Sequence, residues 1–568
     1  MERARIEPDS ARFRRSPETV MRLARMGSFH QTRLSFMRAL LRRLKREAWQ
    51  FDRPLWRIDA KGVGTALYRV RGPKHTYTLV AFGHDLDPAL RSDRVIAEAW
   101  DATFVLFDGE PSEDDIDRLF QNVPKQEAGR VSGRELVLSR ANRSVRLFGH
   151  VIESLAAGRQ PERDKIEAVG YLMRTTAVYG SGKFGTADRE AICDREEFAG
   201  PFRAEMLTVW LIRAFTLDLV EHMARQAAPE TAVSLAPDLR RRFGVGNSTG
   251  LGMAPFLMTH PALINNWMMA REEALARVRA LPSSTAETRQ AFAHFLARAQ
   301  QNAAEWNSPH EIQVEKVAAL RADLDALADH VAAEGLTCDH PWDRLYSWSE
   351  QALSLEGQEQ LVGLLIEPHG ELVDGLTQCM DADEAASFPI DGAMTLGRLK
   401  SILEESYGWA LGVDYDQQAT TARFWYVSEE KLEPRVGERY EEPGASYEQP
   451  LATGRDIAAL AEDLAHWDKD EPVAAFLLRH PMHRHAVRRA QLAQRHPYAE
   501  IRDNLIDAAM LPIDLLRCKL SFFGATKFDP RSDRWVRITM YQDAPFPDEL
   551  AASPADDWAY PHASGANP

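Results

Sequence analysis

Residues Phe243 to Phe256 read FGVGNSTGLGMAPF, and the reading of this stretch decides how the chain around it is built. Glycine loses more conformational freedom on folding than any other residue, so glycines gathered inside a helical region mark tight turns or close approach of backbone to a ligand. The run before it, Asp238 to Arg242, is charged and reads as helix. The expected local structure is therefore a helix ended by Gly244 as its C′ residue and a polar turn of Asn247, Ser248 and Thr249. Gly250 and Gly252 then lead into another helix. Two motifs are approached here and both fail. Gly244-x-Gly246-x-x-x-Gly250 lies near a dinucleotide fingerprint, and Gly246-Asn-Ser-Thr-Gly250 matches a hydrolase elbow, but each requires a strand where the sequence reads helix. What remains is a polar, glycine-flanked segment suited to holding an anion at the head of a helix.

A second such stretch lies upstream, Ala177 to Arg189, AVYGSGKFGTADR. It offers Tyr179, Ser181 and Lys183, with Arg174 just before it. The phosphate-loop pattern fails on Phe184, which stands where the magnesium-binding Ser or Thr belongs. Between the two stretches, Pro201 to Arg225 is apolar nearly all round, the mark of a helix at the centre of its domain. Its polar exceptions include Asp218 and His222, four residues apart and so on one helical face. They are a candidate oriented acid–base pair. His260, after the second stretch, is a further candidate for proton transfer. An echo of Tyr179-GSGK-Phe184 in Phe523-GATK-Phe528 adds Lys527 as an expected anion contact.

The chain has 568 residues, 45% hydrophobic and 27% charged, with a net charge of −15. That composition suits an ordinary globular protein of two to four domains. No uncharged apolar run reaches the length of a membrane span, and the first residues carry no apolar signal core, so a cytoplasmic protein without a membrane partner is expected. The four cysteines are far apart, which excludes a cysteine zinc site or disulfide framework. Residues 1–61 hold sixteen Lys/Arg against seven Asp/Glu. Thr32 to Trp49 is a basic amphipathic helix, expected to dock on the acidic remainder of its own chain or on a second copy; nucleic acid is not the expected partner.

An α+β class dominated by helices is expected, in three consecutive domains and a tail. Residues 1–160 read as a basic helix followed by a β-meander (Leu55–Ala60, Thr65–Val70, Tyr77–Phe82, Asp101–Asp108). Residues 161–335 read as a helical bundle, and 336–550 as a mixed region with a hairpin from Trp409–Tyr415 and Ala422–Val427 and a strand at Trp535–Tyr541. The polar tail, 551–568, is expected to be disordered. His480, His483 and His485 form an HxxHxH run, but five neighbouring arginines and the lack of a nearby carboxylate argue against a metal. The functional expectation is an enzyme acting on a small anionic metabolite bearing a carboxylate or phosphate, with no cofactor or reaction type assigned. Arg174, Tyr179, Ser181, Lys183, Asn247, Ser248, Thr249 and Lys527 would bind it, and Asp218, His222 or His260 would move protons. The alternative is a binding or scaffold protein using the basic helix and the Arg/His-rich face near His485.

Overall fold

The computed structural model describes residues 10–87, 100–122, 132–175, 192, 194–200, 202–249, 261–306, 311–380, 388–414, 425–428, 434–435, 448–451, 453–502, 517–530, 536–554, 556 and 558–560. The chain is mostly helical α+β, and no described helix is long and apolar enough to cross a membrane. It divides into two compact units, each assembled from three separated segments, in place of the three consecutive blocks expected. One comprises Phe29–Thr249, Ala286–Ala333 and Lys519–Pro568; the other Met1–Ser28, Gly250–Thr285 and Glu334–Cys518.

The strands are β1 (Gln50–Ile58), β2 (Gly64–Arg71), β3 (Thr76–Gly83), β4 (Ala102–Asp108), β5 (Glu135–Arg143) and β6 (Tyr171–Thr175). They continue with β7 (Gly244–Thr249), β8 (Trp425–Ser428), β9 (Pro434–Arg435), β10 (Glu448–Leu451), β11 (Ala525–Pro530) and β12 (Val536–Met540). The first unit is built on a nine-stranded sheet in the order β1-β2-β3-β4-β5-β6-β7-β12-β11. The expected meander is its first part. Alternating apolar residues in β2 to β4 bury both faces, and the pairings run antiparallel without a break in register from β2 to β3 and β3 to β4. β6 and β7 lie in the segment expected to be a helical bundle and form instead a parallel pair within the sheet.

Helix α1 (Phe36–Arg46) is the basic helix. It buries Met37, Leu40, Leu41 and Leu44, while Arg33, Arg38 and Arg42 converge on Asp556 of the same unit at 3.1–3.2 Å. The expectation that it docks on its own chain holds. Helix α2 (Glu113–Asn122) covers one face of β2 to β5 through Ile116 and Leu119, against Val80, Phe82, Val105 and Phe107. Helix α3 (Arg203–Ala227) covers the opposite face, where Phe215 packs on Tyr68 and Phe104 and Trp210 on Phe51. It follows β6 and precedes α4 (Pro237–Arg242) and β7, so it is the crossover that parallel neighbours require. Arg213 of α3 is buried and donates to the carbonyl oxygens of Phe243, Ala544 and Arg241 at 2.6, 2.7 and 3.0 Å, fixing the entrance of β7. Desolvation lowers its pKa to about 9, and three carbonyl acceptors satisfy the guanidinium in place of an anion.

Gly244 is not a left-handed cap. The helix ends at Arg242, and Gly244 opens the strand, where a Cβ would stand 2.4 Å from the Met540 carbonyl oxygen. The left-handed cap in this region is Gly170, φ 79°, which closes Arg163–Val169 and delivers the chain into β6.

The second unit is helical, with a small sheet in the order β10-β8-β9. Its helices include α5 (Pro261–Arg279), α6 (Leu355–Ile366), α7 (Leu396–Leu411), α8 (Thr453–Leu464), α9 (Val473–Arg479) and α10 (Arg484–Arg495). The expected hairpin is corrected: Trp409 to Leu411 end α7, whose Leu396, Leu399, Leu403, Tyr407 and Ala410 keep helical spacing, and β8 pairs with β9 and β10. Helices α7 to α10 enclose one core, with Ile402, Leu460, Phe476 and Val487 fully buried.

Candidate functional site

The sheet unit places its chemistry at the carboxyl ends of β6 and β7. The strands are parallel, with Tyr171 opposite Gly244 and Arg174 opposite Gly246. Both therefore end on the same side of the sheet. In open α/β sheets, ligands bind outside the carboxyl ends of the strands.

Side-chain alternation divides the polar residues between the faces. Phe104 faces α3, so Thr103 faces away from it, as does Arg140, its partner on β5. Asn142, two residues on, shares that face and pairs with Arg174 of β6, which pairs with Gly246 of β7. The row continues through Thr539 of β12 to position 527 of β11. Gly246 is the gap in this row: a Cβ there would lie 2.7 Å from Tyr171 Cγ and 2.8 Å from Arg174 Cγ. The Arg174 and Tyr171 side chains thus cross over the glycine, close against the strand backbone. Arg174 is 7% exposed.

Next to this row stand groups that the sequence reading did not select. The Arg140 guanidinium lies 4.3 Å over the Trp100 ring, and burial lowers its pKa to about 10, so it stays cationic at neutral pH. His84 Nε2 is 2.8 Å from Thr103 Oγ1. Burial lowers the His84 pKa and outweighs the opposing pull of Asp101, so the neutral imidazole is the favoured form at pH 7. Two arginines, a neutral imidazole and a threonine hydroxyl therefore share one sheet face. Their only signal in the sequence is the period-two placement of Arg140 and Asn142 in ELVLSRANR, residues 135–143.

The predicted residues distribute as follows. Arg174 lies in the row. Asn247 is 1% exposed, alternates to the other face and donates from Nδ2 to the Thr175 carbonyl oxygen at 2.9 Å, pinning the ends of β6 and β7 together. It is a strand residue and not part of a polar turn. Ser248 and Thr249 are ladder positions opposite Arg537 and Val536, so the strand absent from the elbow reading exists, but Ser248 lies inside it. Lys527 is placed by backbone register only. Tyr179, Ser181, Lys183 and His260 lie outside the described residues.

Asp218 and His222 are on one face of α3 but bond to other groups. Asp218 accepts from Tyr68 Oη at 2.6 Å and Arg53 at 2.7 Å, while His222 meets Trp56 Nε1 at 3.3 Å and the Asp59 carbonyl oxygen at 3.2 Å. These contacts tie α3 to β1 and β2, on the face turned away from Arg174. In the helical unit, Asp463 reaches His483 Nε2 at 2.6 Å and His480 Nδ1 at 3.4 Å, supplying the carboxylate that the sequence reading lacked. Comparison with family models, curated proteins and solved structures gives no match to this chain.

Proposed function

We propose that the chain binds a small carboxylate- or phosphate-bearing molecule on the sheet face carrying Arg140 and Arg174, and acts on it as an enzyme. One observation carries the reading: two adjacent parallel strands, joined through a helix, send their carboxyl ends to the same side with arginine on the ligand-facing side of the row. Arginine's planar fork suits a carboxylate or phosphate, and a partly desolvated guanidinium binds such a group more strongly than one in water. Gly246 lets the Tyr171 and Arg174 side chains lie close against the strand, which fixes the Arg174 stem beside the row. For proton transfer, His84 replaces Asp218 and His222, being neutral at pH 7 and on the same face as Arg140.

The test is a thermal-shift titration of the full chain with phosphate, phosphate monoesters and mono- to tricarboxylates. One class should raise the melting temperature saturably. Arg140→Gln should weaken its binding by roughly 10- to 100-fold, the worth of about 1.5–3 kcal/mol for a charge-assisted hydrogen bond, with little change in the unliganded melt. Arg159→Gln, at an exposed position outside the row, should bind as wild type. No saturable shift with any anion, or full affinity in both Arg140→Gln and Arg174→Gln, would overturn the site. The enzymatic part fails separately if the bound class is recovered unchanged after long incubation.

A further inference from the structure

The turn between α9 and α10 sets two histidines side by side. His480 caps α9, and the 3-10 turn Pro481–His483 follows it, so His480 and His483 stand three residues apart and project to the same side. Phe476, fully buried, stacks on both imidazoles, at 4.8 Å and 14° to His480 and at 5.8 Å and 16° to His483. Trp467 meets His480 edge-on at 5.8 Å. Both rings are thus held in place by a fixed aromatic core residue before any ligand arrives. Asp463, in the last turn of α8, points its carboxylate between them. One ligand atom from each of the three lies within 4.8 Å of the others, and they are the single such group among the described residues.

We propose that Asp463, His480 and His483 bind one divalent transition-metal ion of the zinc class. A metal about 2.0–2.2 Å from each ligand atom in tetrahedral geometry puts those atoms roughly 3.4 Å apart. The His480–Asp463 distance of 3.4 Å already matches. The His483–Asp463 contact of 2.6 Å is a hydrogen bond whose proton the metal replaces, and the carboxylate moves out by a fraction of an ångström. Asp463 is 42% exposed, which leaves water access to the remaining coordination position.

The neighbouring arginines do not oppose a cation here. Arg479 lies over the Trp467 ring at 5.1 Å, Arg488 donates to the Phe388 carbonyl oxygen, Arg489 pairs with Glu500, and Arg484 is exposed to solvent, where its charge is screened. A second carboxylate, Asp456, two turns earlier on α8, is within electrostatic reach of His483. The ion would clip α8 to the α9–α10 turn, across the core that these helices enclose.

The experiment uses the full chain, stripped with chelator and dialysed, with Co²⁺ as spectroscopic probe and Zn²⁺ as competitor. Expected is one equivalent of Co²⁺ per chain with visible d–d absorption, displaced by Zn²⁺. Asp463→Asn preserves shape at a half-exposed position, and His480→Ala removes a ligand outside the fully buried core; each should weaken binding by more than about 100-fold, beyond what outer-shell changes cost. His485→Ala, at the exposed third histidine, should bind as wild type. The site is overturned if the wild type takes up no Co²⁺, if uptake survives both Asp463→Asn and His480→Ala, or if His485→Ala abolishes it equally.

Discussion

Glu359 shows how a single buried charge organises the helical unit. It sits on α6 with no exposed side-chain surface and accepts from Arg15 at 2.7 Å, from Arg25 at 3.1 Å and from Arg271. Arg15 also grips Glu272 of α5 with two hydrogen bonds of 2.7 and 2.8 Å. Burial alone would raise the Glu359 pKa; Arg15 and Arg271 outweigh it and hold it at about 2, below its ordinary 4.5. A carboxyl depressed in the folded state contributes its full stabilisation above 4.5 and loses it as pH falls towards 2. Acid should therefore unfold the helical unit within that window. Glu359→Gln should cost about 3–5 kcal/mol at pH 7, because it leaves buried guanidinium groups without their counter-charge, and should flatten the acid limb of the pH–stability curve. Urea unfolding of wild type and variant from pH 7 to pH 2 measures both; a loss under about 1 kcal/mol at pH 7 would show that the network is dispensable.

The strand β7 carries the corresponding test for the sheet. At Gly246 an added methyl group meets the Tyr171 ring and the Arg174 stem, side chains that have little room to yield beside a strand. Gly246→Ala should destabilise by about 1–3 kcal/mol and, on the proposed reading, weaken anion binding, since both neighbours are displaced. If chemical denaturation and anion affinity are both unchanged, the row is not close-packed and Gly246 does not shape a site. The same strand shows where sequence legibility ends. β2 to β4 declare themselves by alternation, α3 by apolar residues all round, α1 by one apolar face. β7 carries only Val245 as a large apolar residue; its identity as a strand comes from flanking β6 and β12, partners 72 residues upstream and 293 downstream by the pairings Arg174–Gly246 and Gly246–Thr539. β6, five residues buried on both sides, has neither length nor alternation to separate it from a buried helical turn. Missing the two strands also hid Arg140 and His84, whose relation to Arg174 exists only across the sheet. Asp463 was hidden from His480 for the same reason, since its 17 intervening sequence steps are closed by helix packing.

At the scale of the chain, the sheet unit depends on its last segment. Lys519–Pro568 returns to a unit begun at Phe29 and supplies β11, β12 and Asp556. β12 pairs with β7 along its whole length, so without it the strand that forms half of the parallel pair becomes a sheet edge with unpaired backbone groups. Asp556 is the common partner of Arg33, Arg38 and Arg42, and the Arg38 side chain has no exposed surface. Burial would raise the Asp556 pKa, but the three arginines hold it well below the ordinary carboxylate range. Removing the aspartate leaves α1 with clustered buried cations, a loss on the order of 3–5 kcal/mol by itself. Set against a typical domain stability of about 5–15 kcal/mol, that loss and the missing strands together exceed what the sheet unit can spare. A chain ended after Cys518 should therefore lose the sheet unit's cooperative transition, while Asp556→Asn, which keeps the strands, should stay folded with a lowered melting temperature. Supplying residues 519–568 as a separate peptide should restore part of the transition. Calorimetry of the three proteins decides the matter: a truncated chain that keeps every wild-type transition would mean that β11 and β12 decorate the sheet without holding it.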